Sequence, residues 1–198
     1  MSMKRLQIAL GVVVALAAIA IMVAAPWMAA AQLTAALKSG DPGAISRMVD
    51  FPSVRSSLST QLTAKITEEA RNGPQARDNP FAGLVTMLAP TIVNQLVNVI
   101  VTPEGLAKLS QEAQRSEAAS DARRRAKGED RDRGERGMGK PVLAYSGINT
   151  FTATYSSPTK GKMVWVLGRD KLFFWKLKKI EVSDLVLDDL SADAGRDR

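Results

Sequence analysis

From Ile8 to Ala25 the chain runs for 18 residues without one polar side chain. At about 1.5 Å of rise per residue, a helix of that length reaches about 27 Å, close to the hydrocarbon thickness of a bilayer. Lipid offers no partner to backbone N–H and C=O groups, so such a segment must satisfy them internally and is expected to be helical. Lys4 and Arg5 stand just ahead of it. Cations at that end favour a cytoplasmic N-terminus and send the rest of the chain across. Residues 1–25 are therefore read as a transmembrane anchor.

A cleaved signal peptide is the competing reading. Ala29-Ala30-Ala31 offers a small-residue cleavage site, which would release a secreted protein after cleavage near Ala31. Two features oppose it. The apolar stretch exceeds the roughly 7–15 residues of a signal core. Pro26 also suits the first turn of a new helix, Trp27 to Ser39, which carries Leu33 and Leu37 four residues apart and would be cut in two.

The next stretch, residues 26–115, reads as the helical half of an α+β domain with about four to five helices. Gly40-Asp41-Pro42 is a helix stop followed by a start, with Gly40 in the left-handed position and Asp41 as cap. A short helix carries Ile45, Met48 and Val49. Asp50 and Pro52 repeat the device, and Val54, Leu58, Leu62 and Ile66 then recur every fourth residue, the stripe of a helix facing a core. Asn72-Gly73-Pro74 ends that helix, and 75–79 reads as a loop. Beyond Asn79-Pro80, the residues Phe81, Leu84, Val85, Leu88, Ile92, Val93, Leu96, Val97 and Ile100 keep a helical period across Pro90, where a break or kink is expected. Thr102-Pro103-Glu104 opens a last helix, with Leu106 and Leu109 inward.

Between 111 and 140 there are 16 charged residues in 30. Such a stretch cannot bury enough apolar surface to offset its ordering entropy, so 116–140 is read as a flexible linker or a fraying extension of the helix before it. Residues 141–183 are read as the sheet of the same domain, a three-stranded or slightly larger antiparallel meander. Seven of the ten aromatics lie there. Residues 145–155 alternate, Lys162 to Leu167 is apolar on both faces and so an inner strand, and Lys171 to Val182 closes the meander with Phe173, Trp175 and Leu177 on one face. The acidic tail, 184–198, is read as largely disordered. Its aspartates lack the spacing of a calcium loop.

Chemistry is bounded by absence. The chain has no Cys and no His. Thiolate and imidazole nucleophiles, Ser–His–Asp triads and zinc sites built on Cys or His are excluded. The net charge of +7 is spread thinly along the chain rather than gathered into a basic face, which argues against nucleic acid as a partner. No cofactor motif occurs, and no enzyme constellation is expected. A carboxylate-dependent hydrolase using Asp41, Asp50 or Asp170 is the alternative, although helix capping explains the first two. A third reading is an oligomeric membrane-proximal scaffold packed through its Ala-rich anchor. The aromatics Phe151, Tyr155, Trp165, Phe174 and Trp175, lying on both faces of a short sheet, are the candidate surface for a partner protein or a small apolar ligand.

Gly40-Asp41, Val49-Asp50-Phe51-Pro52 with Val54 and Arg55, Thr102-Pro103-Glu104-Gly105-Leu106, and Phe173, Trp175-Lys176-Leu177 and Ile180, in that order, resemble a bacterial domain-of-unknown-function family of short envelope proteins with an N-terminal hydrophobic anchor. The resemblance covers about residues 26 to 182 outside the charged linker, which looks like an insertion of this chain's own. With Lys4 and Arg5 ahead of the apolar segment, the expected location is a single-pass anchor in the bacterial inner membrane, the N-terminus cytoplasmic and the domain periplasmic. The resemblance implies no activity, cofactor or catalytic residue.

Overall fold

The computed structural model describes residues 3–72, 82–126, 140–157, 161–171 and 174–183. Five helices come first: α1 (Met3–Ser39), α2 (Pro42–Met48), α3 (Phe51–Asn72), α4 (Ala82–Ile100) and α5 (Pro103–Ala126). Four strands follow: β1 (Val142–Gly147), β2 (Thr150–Ser157), β3 (Gly161–Arg169) and β4 (Trp175–Val182). They form one antiparallel sheet in the order β1-β2-β3-β4. The class is α+β. The loop expected at 75–79, the helix start at Asn79-Pro80 and Phe81, linker residues 127–139, Pro158 to Lys160, Leu172, Phe173 and the tail 184–198 lie outside the described residues.

α1 changes character along its length. Its side chains from Leu10 to Ile21 are exposed, with Val12, Leu16 and Ile19 each more than half exposed. From Ala25 onward a stripe goes under: Ala25, Ala29, Leu33 and Ala36 recur every three or four residues and are all buried. The alanines let the sheet approach closely, and Leu33 belongs to the apolar core that also holds Ile45, Val54, Val97, Ala107 and Leu177. Pro26 does not open a new helix as expected; it lies inside α1, fully buried. Proline there removes one N–H and so one bond to the carbonyl four residues back. Burial of Ala25 and of the turns that follow outweighs that loss. Next to the gap, the Tyr145 hydroxyl donates to the Val23 carbonyl at 2.9 Å, tying β1 to the same turn.

The caps stand where the prolines placed them. Gly40 takes φ +64°. The Gly43 N–H donates to the Asp41 carboxylate at 2.8 Å, the Ser53 N–H to Asp50 at 3.3 Å, and the Gly105 N–H to the Thr102 hydroxyl at 3.0 Å. Gly105 has a second reason to be glycine. A Cβ there would strike the backbone carbonyl oxygen of Ile100, where the chain doubles back between α4 and α5.

Two helical faces differ from the expectation. In α4, Ala89, Val93 and Val97 are buried, while Leu84, Leu88, Ile92 and Leu96 are exposed, and the helix passes Pro90 without interruption. In α5, Leu109 is exposed and Ala107 is buried instead; Ser110 donates its hydroxyl to the Leu37 carbonyl at 2.6 Å. α5 also continues through the first part of the charged segment, to Ala126.

The run expected as one strand over 145–155 divides at Ile148 and Asn149, so the meander has four strands, the slightly larger sheet that the sequence allowed. Tyr145 stands opposite Phe151, Ala153 opposite Trp165, and Leu167 opposite Leu177. Pairing puts these residues on one face, the face that α1 and α2 cover. Among the described residues, the aromatics within the strands therefore gather on one side of the sheet, not on both. β4 carries an irregularity: Val166 pairs with Lys179 but Leu167 with Leu177. The extra residue, Lys178, resets the alternation. Leu177 and Ile180 thereby both reach the core, and Lys179 and Glu181 pair in solvent at 2.7 Å.

β4 is an edge strand, and exposed edges invite pairing with other chains. Here α3 covers it. The Asp50 N–H donates to the Leu177 carbonyl at 2.9 Å. Further along, Gln61 acts as a surrogate strand: its amide donates to the Ile180 carbonyl at 2.6 Å and accepts from the Val182 N–H at 3.1 Å.

Candidate functional site

Where α1 passes from exposed to buried, a cleft of about 510 Å³ opens between α1, the end of α2 and the turn into β4. α1 contributes Ala25, Met28, Ala29 and Gln32. α2 contributes Arg47 and Met48, and the turn contributes Asp170, Lys171, Phe174, Trp175 and Lys176. The volume falls in the range of small-molecule sites. The turn is held by its own backbone: the Asp170 N–H donates to the Phe174 carbonyl at 2.8 Å. This loop lifts Phe174 clear of the sheet, and its ring is 67 % exposed at the rim. Trp175 forms the inner wall. It is 3 % exposed, with the Arg169 guanidinium 5.0 Å from its ring centre.

The two sides of the cleft differ in chemistry. The α1 side is apolar apart from Gln32. The opposite side carries three cations, Arg47, Lys171 and Lys176, against one carboxylate, Asp170, a net of +2. Lys176 stands 3.5 Å from Asp170, both side chains about one-third exposed, which leaves Asp170 already engaged.

Of the five aromatics chosen from sequence, Phe174 and Trp175 line this cleft. Phe151 is fully buried, stacked edge-on between Trp27 at 4.7 Å and Tyr145 at 5.4 Å, with Trp175 at 6.5 Å. Its role is to hold the sheet to α1. Tyr155 and Trp165 lie together at 4.9 Å further along the sheet. Burial raises the Tyr155 phenol above its ordinary value, against a smaller opposing effect from its hydrogen bond with Thr34. The indole N–H groups of Trp165 and Trp175 are buried and meet no acceptor among the described residues. Met28, Gln32 and Arg47 were not singled out from sequence, and Met48 only as a core-facing residue of its short helix. The only local signal was the run of aromatics and lysines from Lys171 to Lys176.

The aspartates have other work. Asp41 and Asp50 cap α2 and α3, and Asp170 pairs with Lys176 at a turn. Among the described residues no cluster of three or more acidic side chains is arranged to hold a metal ion.

A second concavity, about 190 Å³, lies between α3 and α4 and is lined only by apolar residues, Ile66, Leu84, Val85, Leu88, Ala89, Ile92 and Val93. α1 from Leu10 and α4 from Gly83 are each long and apolar enough to cross a membrane, by length and composition.

Residues 14–109 match the model of a family described as protein of unknown function (DUF2939). The match takes in most of α1, all of α2, α3 and α4, and the first turns of α5. The Gly40-Asp41, Asp50-Phe51-Pro52 and Thr102 to Leu106 segments of the resemblance fall within it; Phe173, Trp175 to Leu177 and Ile180 fall outside. Neither a curated protein nor a solved structure matches the chain significantly.

Proposed function

We propose that this chain is a membrane-anchored, non-enzymatic binding module that holds a small apolar ligand or a partner at the foot of its domain. In this reading the exposed part of α1 crosses the bilayer, Lys4 and Arg5 stay on the cytoplasmic side, and the α+β domain stands on the extracytoplasmic side. One observation carries the reading. A single uninterrupted helix is apolar and exposed up to Val23 and then becomes the central core helix, and the cleft opens at that transition. An apolar exposed half needs a covering, and lipid supplies it without a second protein. Trp27 and Tyr145, each 39 % exposed at this level, suit the membrane–water boundary, where amphipathic rings concentrate. The binding role rests on the cleft's mixed lining and on the exposed Phe174 at its rim.

Asp41 and Asp50 cap helices and Asp170 pairs with Lys176, which supports the binding reading over a carboxylate-dependent hydrolase. Reporter fusions at Lys140 and Ser183 test the topology, and a thermal-shift series with neutral long-chain alcohols and monoacylglycerols tests the binding. The expected results are an extracytoplasmic signal at both positions and a rise in melting temperature with chain length. A cytoplasmic signal, or no shift with any apolar chain, would overturn the corresponding half of the reading.

A further inference from the structure

We infer that the ligand of the cleft is an anionic amphiphile: one hydrocarbon chain laid along Met28, Ala25 and Met48, with a phosphate or carboxylate headgroup held by Arg47 and Lys171. This rests on the binding role proposed above and specifies its chemistry. Three observations meet here. The first is charge. The polar side of the cleft carries a net +2, and the one carboxylate present is spent on Lys176, so Arg47 and Lys171 remain to face a ligand. An oxyanion between two such cations forms charge-assisted hydrogen bonds, whereas a cationic head meets repulsion and a neutral hydroxyl head brings no charge to pair with them. The second is the apolar wall. Ala25 and Ala29 are small and buried, Met28 is half exposed, and Met48 closes the end, a surface that accepts methylene groups and offers them almost no competing polar atom. The third is position. The wall is continuous with the exposed apolar face of α1, so a chain entering from lipid would stay in an apolar environment throughout. Phe174, exposed beside the headgroup position, covers the junction of the two halves.

A membrane lipid and a free phosphate share this headgroup chemistry, and the test separates them. The full chain is placed in phosphatidylcholine nanodiscs with a monoacyl phosphate carrying a photoreactive diazirine on its chain, and adducts are mapped by peptide mass spectrometry. Parallel samples use the same chain ending in a neutral hydroxyl, inorganic phosphate at equal concentration as competitor, and the double variant Arg47→Ala/Lys171→Ala. Both substituted residues are exposed, and an unchanged melting temperature verifies the fold. The expected result is saturable labelling within residues 25–32 or at 47–48. The neutral form should label about tenfold less, and the double variant should lose about tenfold for the anionic form only, as two solvent-exposed ionic contacts warrant. Inorganic phosphate at equal concentration should not compete. Equal labelling by both headgroups, unaffected by the double variant, would overturn the anionic assignment and leave apolar binding standing. Full competition by inorganic phosphate would overturn the role of the chain. Absence of cleft labelling by either form would overturn this inference together with the binding role it rests on.

Discussion

Leu33 is the residue through which α1 belongs to the domain, and replacing it measures how much of the fold depends on that helix. Its side chain is fully buried in the apolar core that also holds Ile45, Val49, Val54, Val93 and Val97. Leu33→Ala deletes three buried carbons and leaves a cavity that the surrounding core cannot fully close. Substitutions of this kind cost about 3 kcal/mol, in a measured range of roughly 2.7–5. Against a typical total stability of about 5–15 kcal/mol, that is a large fraction. For a domain of this size it corresponds to a fall of about 6–12 °C in melting temperature. The matched control is Leu16→Ala, the same chemical change seventeen residues earlier in the same helix, where the side chain is 60 % exposed. That control should stay within about 0.5 kcal/mol of the parent chain. Both are read by tryptophan fluorescence during thermal unfolding of the full chain in detergent micelles. Equal midpoints for the two variants would refute the claim that α1 is a core element and reduce it to a tether.

Gly105→Ala should destabilise by about 2 kcal/mol or more, measured by chemical denaturation, because the new Cβ meets the backbone oxygen of Ile100, which no side-chain rotation can relieve. Gln61→Glu should cost about 1–3 kcal/mol, since a carboxylate still accepts from Val182 but cannot donate to the Ile180 carbonyl; hydrogen exchange should accelerate at Val182 and neighbouring amides of β4. For Tyr155 the sign follows from its raised phenol. The unfolded chain loses that proton at a lower pH than the folded one, so stability is intact below the ordinary phenol value near pH 10 and falls as pH rises from there through the folded value. Tyr155→Phe should remove that part of the alkaline loss in denaturation midpoints collected from pH 8 upward, and parallel curves for the two proteins would contradict it.

Much of the helical half could be read locally, because its signals are local. Gly40-Asp41-Pro42, Asp50 with Pro52, and Thr102-Pro103 each mark a boundary by the conformations those residues permit, and each boundary stands where they place it. The helix of Val54, Leu58, Leu62 and Ile66 followed from periodicity in the same way. The failures share a different cause. Pro26 continues a helix because burial on the sheet, more than a hundred residues away in sequence, outweighs a lost hydrogen bond. The extra residue in β4 is set by what Leu177 and Ile180 must both reach, and the division at Ile148 and Asn149 left the alternation of the flanking residues undisturbed. The exposed flank of α4 has the same composition as a buried one, so period alone could not separate them. The cleft was least legible of all, since Met28, Arg47 and Lys171 come from three separate segments and share no spacing.

The central claim is that α1 is at once membrane anchor and core helix, which requires it to stay whole. Intact-mass measurement of the chain recovered from alkali-washed membranes tests this most directly. The account predicts a pelleted species with the mass of all 198 residues. A soluble species shortened to a new N-terminus near Ala31, still unfolding cooperatively, would contradict it.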